Sequence, residues 1–394
     1  VTEQQLRELL RDAPLDLDPR SEQRAWHAVR SAYQPRPARR SRWTARRPVA
    51  ALAVIALAAL LTLGTVTAPR QAVARWLRDA FGVTAQPHAT GGLASLPGGG
   101  RLLVETASGP WLVAADGSRH HLGTYTGAAW SPHSLYVVAW RGAELAAVNL
   151  AGVPQWELTA PGPLSAARWS PDGYRIAFVA GGALDVLAGD SSGQHTVSDA
   201  AARVPPAWQP RTGSVHLLTF VTRDRAIEQI DADTGAAIWT AHPLEPARQL
   251  VWSPGGNVLL VLGAHELSEY TPAGRLLTTF APSGATVESA AFTSARRFAL
   301  VIHPAAVGPD SIELLSTGRR PAPKILYTGL ERLSDLNASP NHQWLIAASP
   351  SADQWIFIRI HAPARLLAST NITNAFHRPG TTTETFPRLA GWQR

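Results

Sequence analysis

Hydrophobic positions recur along this chain with three different rhythms, and each predicts a different kind of element. Thr2 and Gln5 have capping-box spacing, and Leu6, Leu9 and Leu10 follow on one helical face. Asp18 and Pro19 mark a second helix start, with Trp26, Val29 and Tyr33 on one stripe. Helices this short cannot bury their stripes alone. They pack on each other, lie on a membrane, or dock a cytoplasmic partner. Next comes PVAALAVIALAALLTLGTVTAP, 22 residues without charge between Arg47 and Arg70. As a helix it reaches roughly 33 Å, enough for a ~30 Å hydrocarbon core. Residues 71–81 then read as an amphipathic juxtamembrane helix, and the glycines at 91, 92 and 98–100 as a linker.

Beyond residue 93 the rhythm changes to short apolar runs that come back in register. Trp130-Ser131-Pro132, Trp169-Ser170-Pro171-Asp172-Gly173, Trp208-Gln209-Pro210 and Trp252-Ser253-Pro254-Gly255-Gly256 share one motif. Each is followed by an apolar strand: LYVVAW, RIAFVA, HLLTFV and VLLVLG. Degenerate copies start at Phe292 and Ala338, and Ser95-Leu96-Pro97 precedes RLLVET. A second strand ends each time at a turn such as Asp233-Thr234-Gly235. A third strand (WELTA, AIWTA, LLTTF) and a fourth complete the unit. Four short antiparallel strands per unit is the pattern of a propeller blade. The fold class is therefore all-β, a propeller over residues 93–394. The count is seven blades, with six or eight the outcome if a degenerate unit is misjudged. The last residues, Leu389-Ala390-Gly391-Trp392, match the fourth strands and would seal the ring.

WSPDG followed by an IAF-type strand and a DADTG-like turn resembles the TolB-type, WD-repeat-like β-propeller family. That resemblance implies an interaction platform, often extracytoplasmic, whose ligands meet its faces or central channel. Trp130, Trp169, Asp172, Gly173, Trp208, Trp252 and Trp392 carry the repeat signature, and the tryptophans read as blade-packing elements before ligand stackers. A helical N-terminal region, one span and an outer propeller also resemble membrane-bound anti-sigma-factor-type regulators, although residues 1–47 contain no His/Cys zinc motif.

Charge changes the picture only at the N-terminal end. The formal net charge is +7 and the isoelectric point about 10.4, values that invite a nucleic-acid reading. Residues 1–47 hold eleven arginines against six acidic residues, however, and from residue 93 onward 22 basic residues meet 22 acidic ones. Arg39, Arg40, Arg42, Arg46 and Arg47, with Trp43, abut one end of the apolar stretch, and Trp76 lies beyond the other. Arginine clusters of this kind keep their side of a span in the cytoplasm, and tryptophans anchor at interfaces. These residues are thus expected at the membrane interface, on the anionic inner leaflet and not on nucleic acid. A cleaved signal peptide is the competing reading, with Val66-Thr67-Ala68 as its site. An uncleaved anchor is favoured because 47 residues precede the apolar run. The expected organisation is a cytoplasmic region at 1–47, a transmembrane helix at 48–69, a juxtamembrane helix and linker at 70–92, and the propeller at 93–394. Arginine, alanine, glycine and proline have GC-rich codons, the usage of a high-GC bacterial gene.

Candidate chemistry is sparse. There is no cysteine, which excludes disulfides and thiolate metal sites. Gly189-Asp190-Ser191-Ser192-Gly193 fits a nucleophile-elbow pattern but falls where sibling units carry a hairpin turn. His120 and His121 are adjacent, and on a strand their side chains diverge. Asp231 and Asp233 read as turn chemistry. No P-loop, dinucleotide fingerprint or metalloprotease spacing is present, so no catalytic residue, metal or cofactor is expected. Residues 350–355 and 371–385 depart from the repeat, as a binding loop or as solvated insertion.

The sequence thus points to a single-pass, N-terminus-inside membrane protein. Its extracytoplasmic propeller binds a protein, peptide or envelope component and is coupled to a cytoplasmic partner. The alternative is a propeller-type hydrolase or lyase with its site in the central channel.

Overall fold

A computed structural model describes residues 88–91, 95–306, 308–318, 323–363, 365–378 and 385–394. The helices and span expected before residue 88 lie outside the described residues, and with them Arg39, Arg40, Arg42, Trp43, Arg46, Arg47 and Trp76. Among the described residues no helix is long and apolar enough to cross a membrane.

Seven antiparallel sheets make up the propeller. Their innermost strands are Arg388–Gln393 in blade 1, Gly127–Trp130 in blade 2, Leu164–Trp169 in blade 3 and Ala207–Trp208 in blade 4. Gln249–Trp252, Ala285–Ser294 and Ser334–Ala338 serve blades 5, 6 and 7. Neighbouring inner strands touch all the way round, so the ring is closed. Blade 1 joins the two ends of the propeller: its inner strand is C-terminal, while Arg101–Thr106, Gly109–Val113 and Arg119–His121 come from the front. Leu102 pairs with Trp392 and Leu103 with Gly391 in the closing ladder. Closure of this kind removes the unpaired edges that an open sheet would expose. Blade 7 gains a fifth strand, His88–Gly91, parallel to Leu366–Thr370. Four residues that the sequence places in the linker therefore belong to the propeller's sheet structure.

The apolar runs acquire a physical reason from the packing. Each second strand is covered on both faces, so alternate side chains enter different interfaces. Leu102 and Val104 pack toward blade 7, whereas Leu103 packs toward blade 2. Val137 and Ala139 face blade 1, and Val138 and Trp140 face blade 3. One apolar cluster sits between each pair of neighbouring blades, with no single central core.

The motif serine has an equally local cause. In blades 2, 3, 5 and 7 its hydroxyl accepts the backbone N–H five residues later, from Tyr136, Arg175, Val258 and Trp344. These turns leave buried donors that only a short oxygen-bearing side chain can satisfy. The glycine that follows adopts positive φ, +82° at Gly173 and +71° at Gly256. A Cβ on Gly256 would come within 2.1 Å of the Pro210 carbonyl oxygen.

The two departures from the repeat meet within their described residues. Asp353 accepts hydrogen bonds from both the backbone N–H and the hydroxyl of Thr373. That contact holds a short helix, Ile372–Ala375, against the blade 7–blade 1 junction. Ile372 and Phe376 are buried there, and Phe376 packs against the rings of Trp111 and Trp355. Residues 372–376 act as a plug in the junction, not as a solvated insertion.

Candidate functional site

Two faces follow from the topology. Inner strands end at the Trp-Ser-Pro turns, which share the turn face with the hairpins joining third and fourth strands. The opposite, return face carries the remaining connections.

The signature tryptophans tie blade to blade. Trp130, Trp208, Trp252 and Trp392 are buried, and Trp169 is partly buried. Trp130 Nε1 donates to the Gly391 carbonyl of blade 1, 3.1 Å away, and Trp208 Nε1 to the Arg168 carbonyl of blade 3, 2.9 Å away. Trp252 Nε1 donates to Thr219 Oγ1 and Trp392 Nε1 to the Gly99 carbonyl. Asp172 and Gly173 lie on the turn face.

Asp172 also belongs to a network that crosses the blade 3–blade 4 border. His216 Nε2 lies 2.9 Å from Asp172 Oδ2, and its Nδ1 lies 2.5 Å from Asp233 Oδ2. Arg175 Nε donates to Asp233 Oδ1 at 2.6 Å. Each blade supplies one carboxylate and one nitrogen base. Burial alone would raise the Asp172 carboxyl, but hydrogen bonds from Ser170 and the Tyr174 N–H, with His216 beside it, hold it below its usual range. Asp233 is likewise lowered, burial being outweighed by hydrogen bonds from His216 and Arg175. Folded-state values below the unfolded ones mean stability that is present above about pH 4 and is lost as pH falls further. A double variant, Asp172→Asn with Asp233→Asn, should therefore unfold at lower urea than wild type at pH 7. It should also lose less of its midpoint between pH 7 and pH 3. Equal acid losses in the two proteins would refute this. Asp231 accepts the Asp233 N–H within the turn, so the turn reading accounts for Asp231 and not for the Asp233 side chain.

The ring encloses a channel with a cavity at each end. The turn-face cavity, about 780 Å³, is lined by Pro132, His133, Ser134, Pro340, His342 and the inner strands of blades 1, 5, 6 and 7. The return-face cavity, about 440 Å³, gathers Glu105, Arg168, Glu288, Asp335 and Arg388 from blades 1, 3, 6 and 7, with Arg248 from the connection entering blade 5. Arg388 lies 3.7 Å from Glu105, and Arg248 lies 3.8 Å from Glu288. The Asp335 carboxyl accepts the Leu389 N–H and is pushed up by burial. Arg168 spends one donor on the Ala167 carbonyl and meets no carboxylate within ion-pair distance among the described residues. Burial pushes its guanidinium below the ordinary arginine range, with Glu105 opposing and Arg388 reinforcing that shift.

None of these channel residues was singled out by the sequence motifs. One signal was present: the residue before the motif position reads Ala129, Arg168, Ala207, Val251, Ala291, Asn337 and Gly391, with a single charge. The Gly189–Gly193 segment forms the hairpin turn between Ala183–Ala188 and His195–Ser198, with Asp190 Oδ1 accepting from Ser192. His120 and His121 lie on the outer strand of blade 1, His121 edge-on to Trp111 and His120 exposed. Among the described residues no group of three or more His, Cys, Asp or Glu could hold a metal ion.

No protein-family model matches the chain, and no curated protein does. Solved structures do. The C-terminal WD40 domain of Sif2 superposes with a TM-score of 0.55 at 14% identity, covering 73% of this chain and 90% of that one. The β-propeller domain of Myceliophteria thermophila Cps50 (Swd1) gives 0.49 at 10% identity, over 62% and 84% of the two chains. Kuenenia stuttgartiensis hydrazine synthase gives 0.49 at 12% identity, over 59% and 76%. At these identities the likeness is one of fold. The chain is a seven-bladed β-propeller with WD40 structural neighbours.

Proposed function

We propose that this chain is a membrane-tethered, TolB-type propeller that binds a protein or peptide on its turn face outside the cytoplasm. In this reading residues 48–69 anchor it, and residues 1–47 couple it to a cytoplasmic regulatory partner in the manner of anti-sigma-type proteins. The role is binding, not catalysis.

The observation that carries the face assignment is a run of exposed apolar side chains on the turns of three consecutive blades. Leu135 is 60% exposed and Tyr174 68% exposed, with Tyr136 and Val215 also out in solvent. Apolar side chains at matched positions of neighbouring blades form the kind of patch that marks a protein contact. The border network of Asp172, Arg175, His216 and Asp233 supplies polar groups beside Tyr174.

The absence of cysteine makes the test direct. In the full chain, Tyr174→Cys on the turn face and Arg225→Cys on the return face each provide one thiol. On intact cells a membrane-impermeant maleimide is expected to label both, and position 174 more slowly than on the purified protein. Label reaching neither site on intact cells, but both after lysis, would sink the outside location. Equal relative rates at the two sites would sink the turn-face assignment. A bait of residues 1–47 that retains no specific partner would remove the cytoplasmic arm.

A further inference from the structure

We propose that the return-face end of the central channel binds a small oxyanion, a carboxylate or phosphate group, on the guanidinium of Arg168. This site is separate from the turn face and stands whether or not that face binds a protein.

The argument begins with how the channel's charges are used. Arg388 meets Glu105 and Arg248 meets Glu288. Arg248 also donates to the carbonyls of Gly263 and Val287, so its fork is occupied. Arg168 lines the same cavity with one hydrogen bond, to the carbonyl of its own neighbour Ala167. A guanidinium has five N–H donors and no way to turn one into an acceptor. The other four have no protein acceptor among the described residues. A part-buried guanidinium with open donors gains from an anion that takes them. The remaining acid of the cavity, Asp335, is spent on the Leu389 N–H and forms no ion pair with Arg168. The guanidinium left without a carboxylate partner is positive, and its complement is an anion.

The walls around Arg168 have the rigidity such a site requires. The Gln249 side chain clasps Ala290 through both its N–H and its carbonyl, joining blades 5 and 6. Ser289 Oγ accepts the Leu336 N–H, and Asn337 donates to the Leu389 carbonyl, joining blades 6, 7 and 1. These polar groups hold inner strands together and leave the anion-binding role to the arginine. A cavity of about 440 Å³ suits a small organic acid or a phosphate more than a folded partner. Planar, forked arginine donors match the paired oxygens of carboxylate and phosphate.

The test uses the purified full chain, titrated calorimetrically with inorganic phosphate and, separately, with citrate, at ionic strength held constant with sodium chloride. Saturable binding of at least one, near one equivalent, is expected. Binding of citrate alone, phosphate alone or both assigns the oxygen chemistry. Arg168→Gln should weaken it about tenfold or more. It should also leave the anion-free melting temperature unchanged or higher, because an unpaired cation has been removed. Absence of saturable binding by either anion would overturn the proposal, as would full affinity in Arg168→Gln. A clearly lowered anion-free melting temperature in that variant would mark Arg168 as structural and overturn it too. If Arg168→Gln does not fold, Arg168→Lys keeps the charge and loses the fork. A folded lysine variant with weakened binding supports the site, and one with undiminished affinity overturns its dependence on the arginine fork.

Discussion

Alanine in place of Trp392 is expected to destabilise the propeller by about 3–5 kcal/mol, the range for deleting a buried large aromatic. Trp392 is only 5% exposed and sits two residues from the C-terminus, where most side chains are loosely held. It packs edge-on to Phe357 of blade 7 at 6.0 Å, in a cluster with Leu102, Val104 and Ile346. Its Nε1 donates to the Gly99 carbonyl at 2.8 Å, pinning the last strand of the chain to the first turn of the ring. Gly98 keeps that approach open, since a Cβ there would lie 2.8 Å from the indole. The variant loses burial, leaves a cavity between blades 7 and 1, and orphans an acceptor. Trp392→Phe keeps most of the volume and should cost about 1 kcal/mol for the hydrogen bond, plus a packing term. Ending the chain before Leu389 goes further: it exposes the edge of Arg101–Thr106 and leaves one blade with three strands. That truncation should abolish the single cooperative urea transition. A Trp392→Ala midpoint equivalent to less than about 1 kcal/mol, or a cooperative truncated chain, would mean that the ring does not depend on its last strand.

That closing strand was legible because a repeat constrains every copy alike. Six of the seven blades carry an aromatic at the motif position of the inner strand, and blades 2, 3, 5 and 7 cap the next turn with a serine hydroxyl. Each blade also needs a second strand covered on both faces, so the same letters recur. Fourth strands of the sequence unit become inner strands of the following blade, and Leu389–Trp392 fits because it has the same task as Ala129–Trp130. What breaks the repeat was harder to read. Ile372 and Phe376 are two apolar residues one turn apart in a polar stretch, too few to announce a helix, and their destination is set by the gap they fill. Arg175 and Asp233 are 58 positions apart and meet only because their blades are neighbours. Arg168 was visible as the lone charge at its repeat position, but its meaning depends on which carboxylates the other blades bring to the channel. Pairing across blades is a property of the ring, and a linear motif does not contain it.

The buried pair in blade 6 follows the same logic, and its loss should be nearly as costly. Asp310 opens the third strand of that blade, Asp310–Ser316, and is 3% exposed. Its Oδ2 accepts the Leu333 N–H at 2.7 Å, which fixes the connection running into blade 7. The same oxygen lies 2.8 Å from Nδ1 of His303, itself 2% exposed, in contact but without the alignment of a hydrogen bond. Glu288 stands 3.7 Å from His303 Nε2, and Arg332 stands 3.8 Å from Asp310 Oδ1. Asp310→Ala strands the Leu333 N–H, a buried polar group at about 1–3 kcal/mol, and takes the carboxylate from beside the buried His303. A total near 3 kcal/mol is expected, read as a shift in the urea midpoint. Asp310→Asn retains a carbonyl oxygen for Leu333 and should recover about half of that loss. Asp310→Leu separates burial from polarity, because it fills the space and still orphans the N–H. If leucine proves as stable as wild type, the connection between blades 6 and 7 is held by packing against Leu333 and Leu336, and the carboxyl is dispensable. If leucine falls with alanine, the hydrogen bond sets how blade 7 meets its neighbour. Blade 7 then reaches blade 1 in a position already constrained, and the C-terminal strand closes the ring.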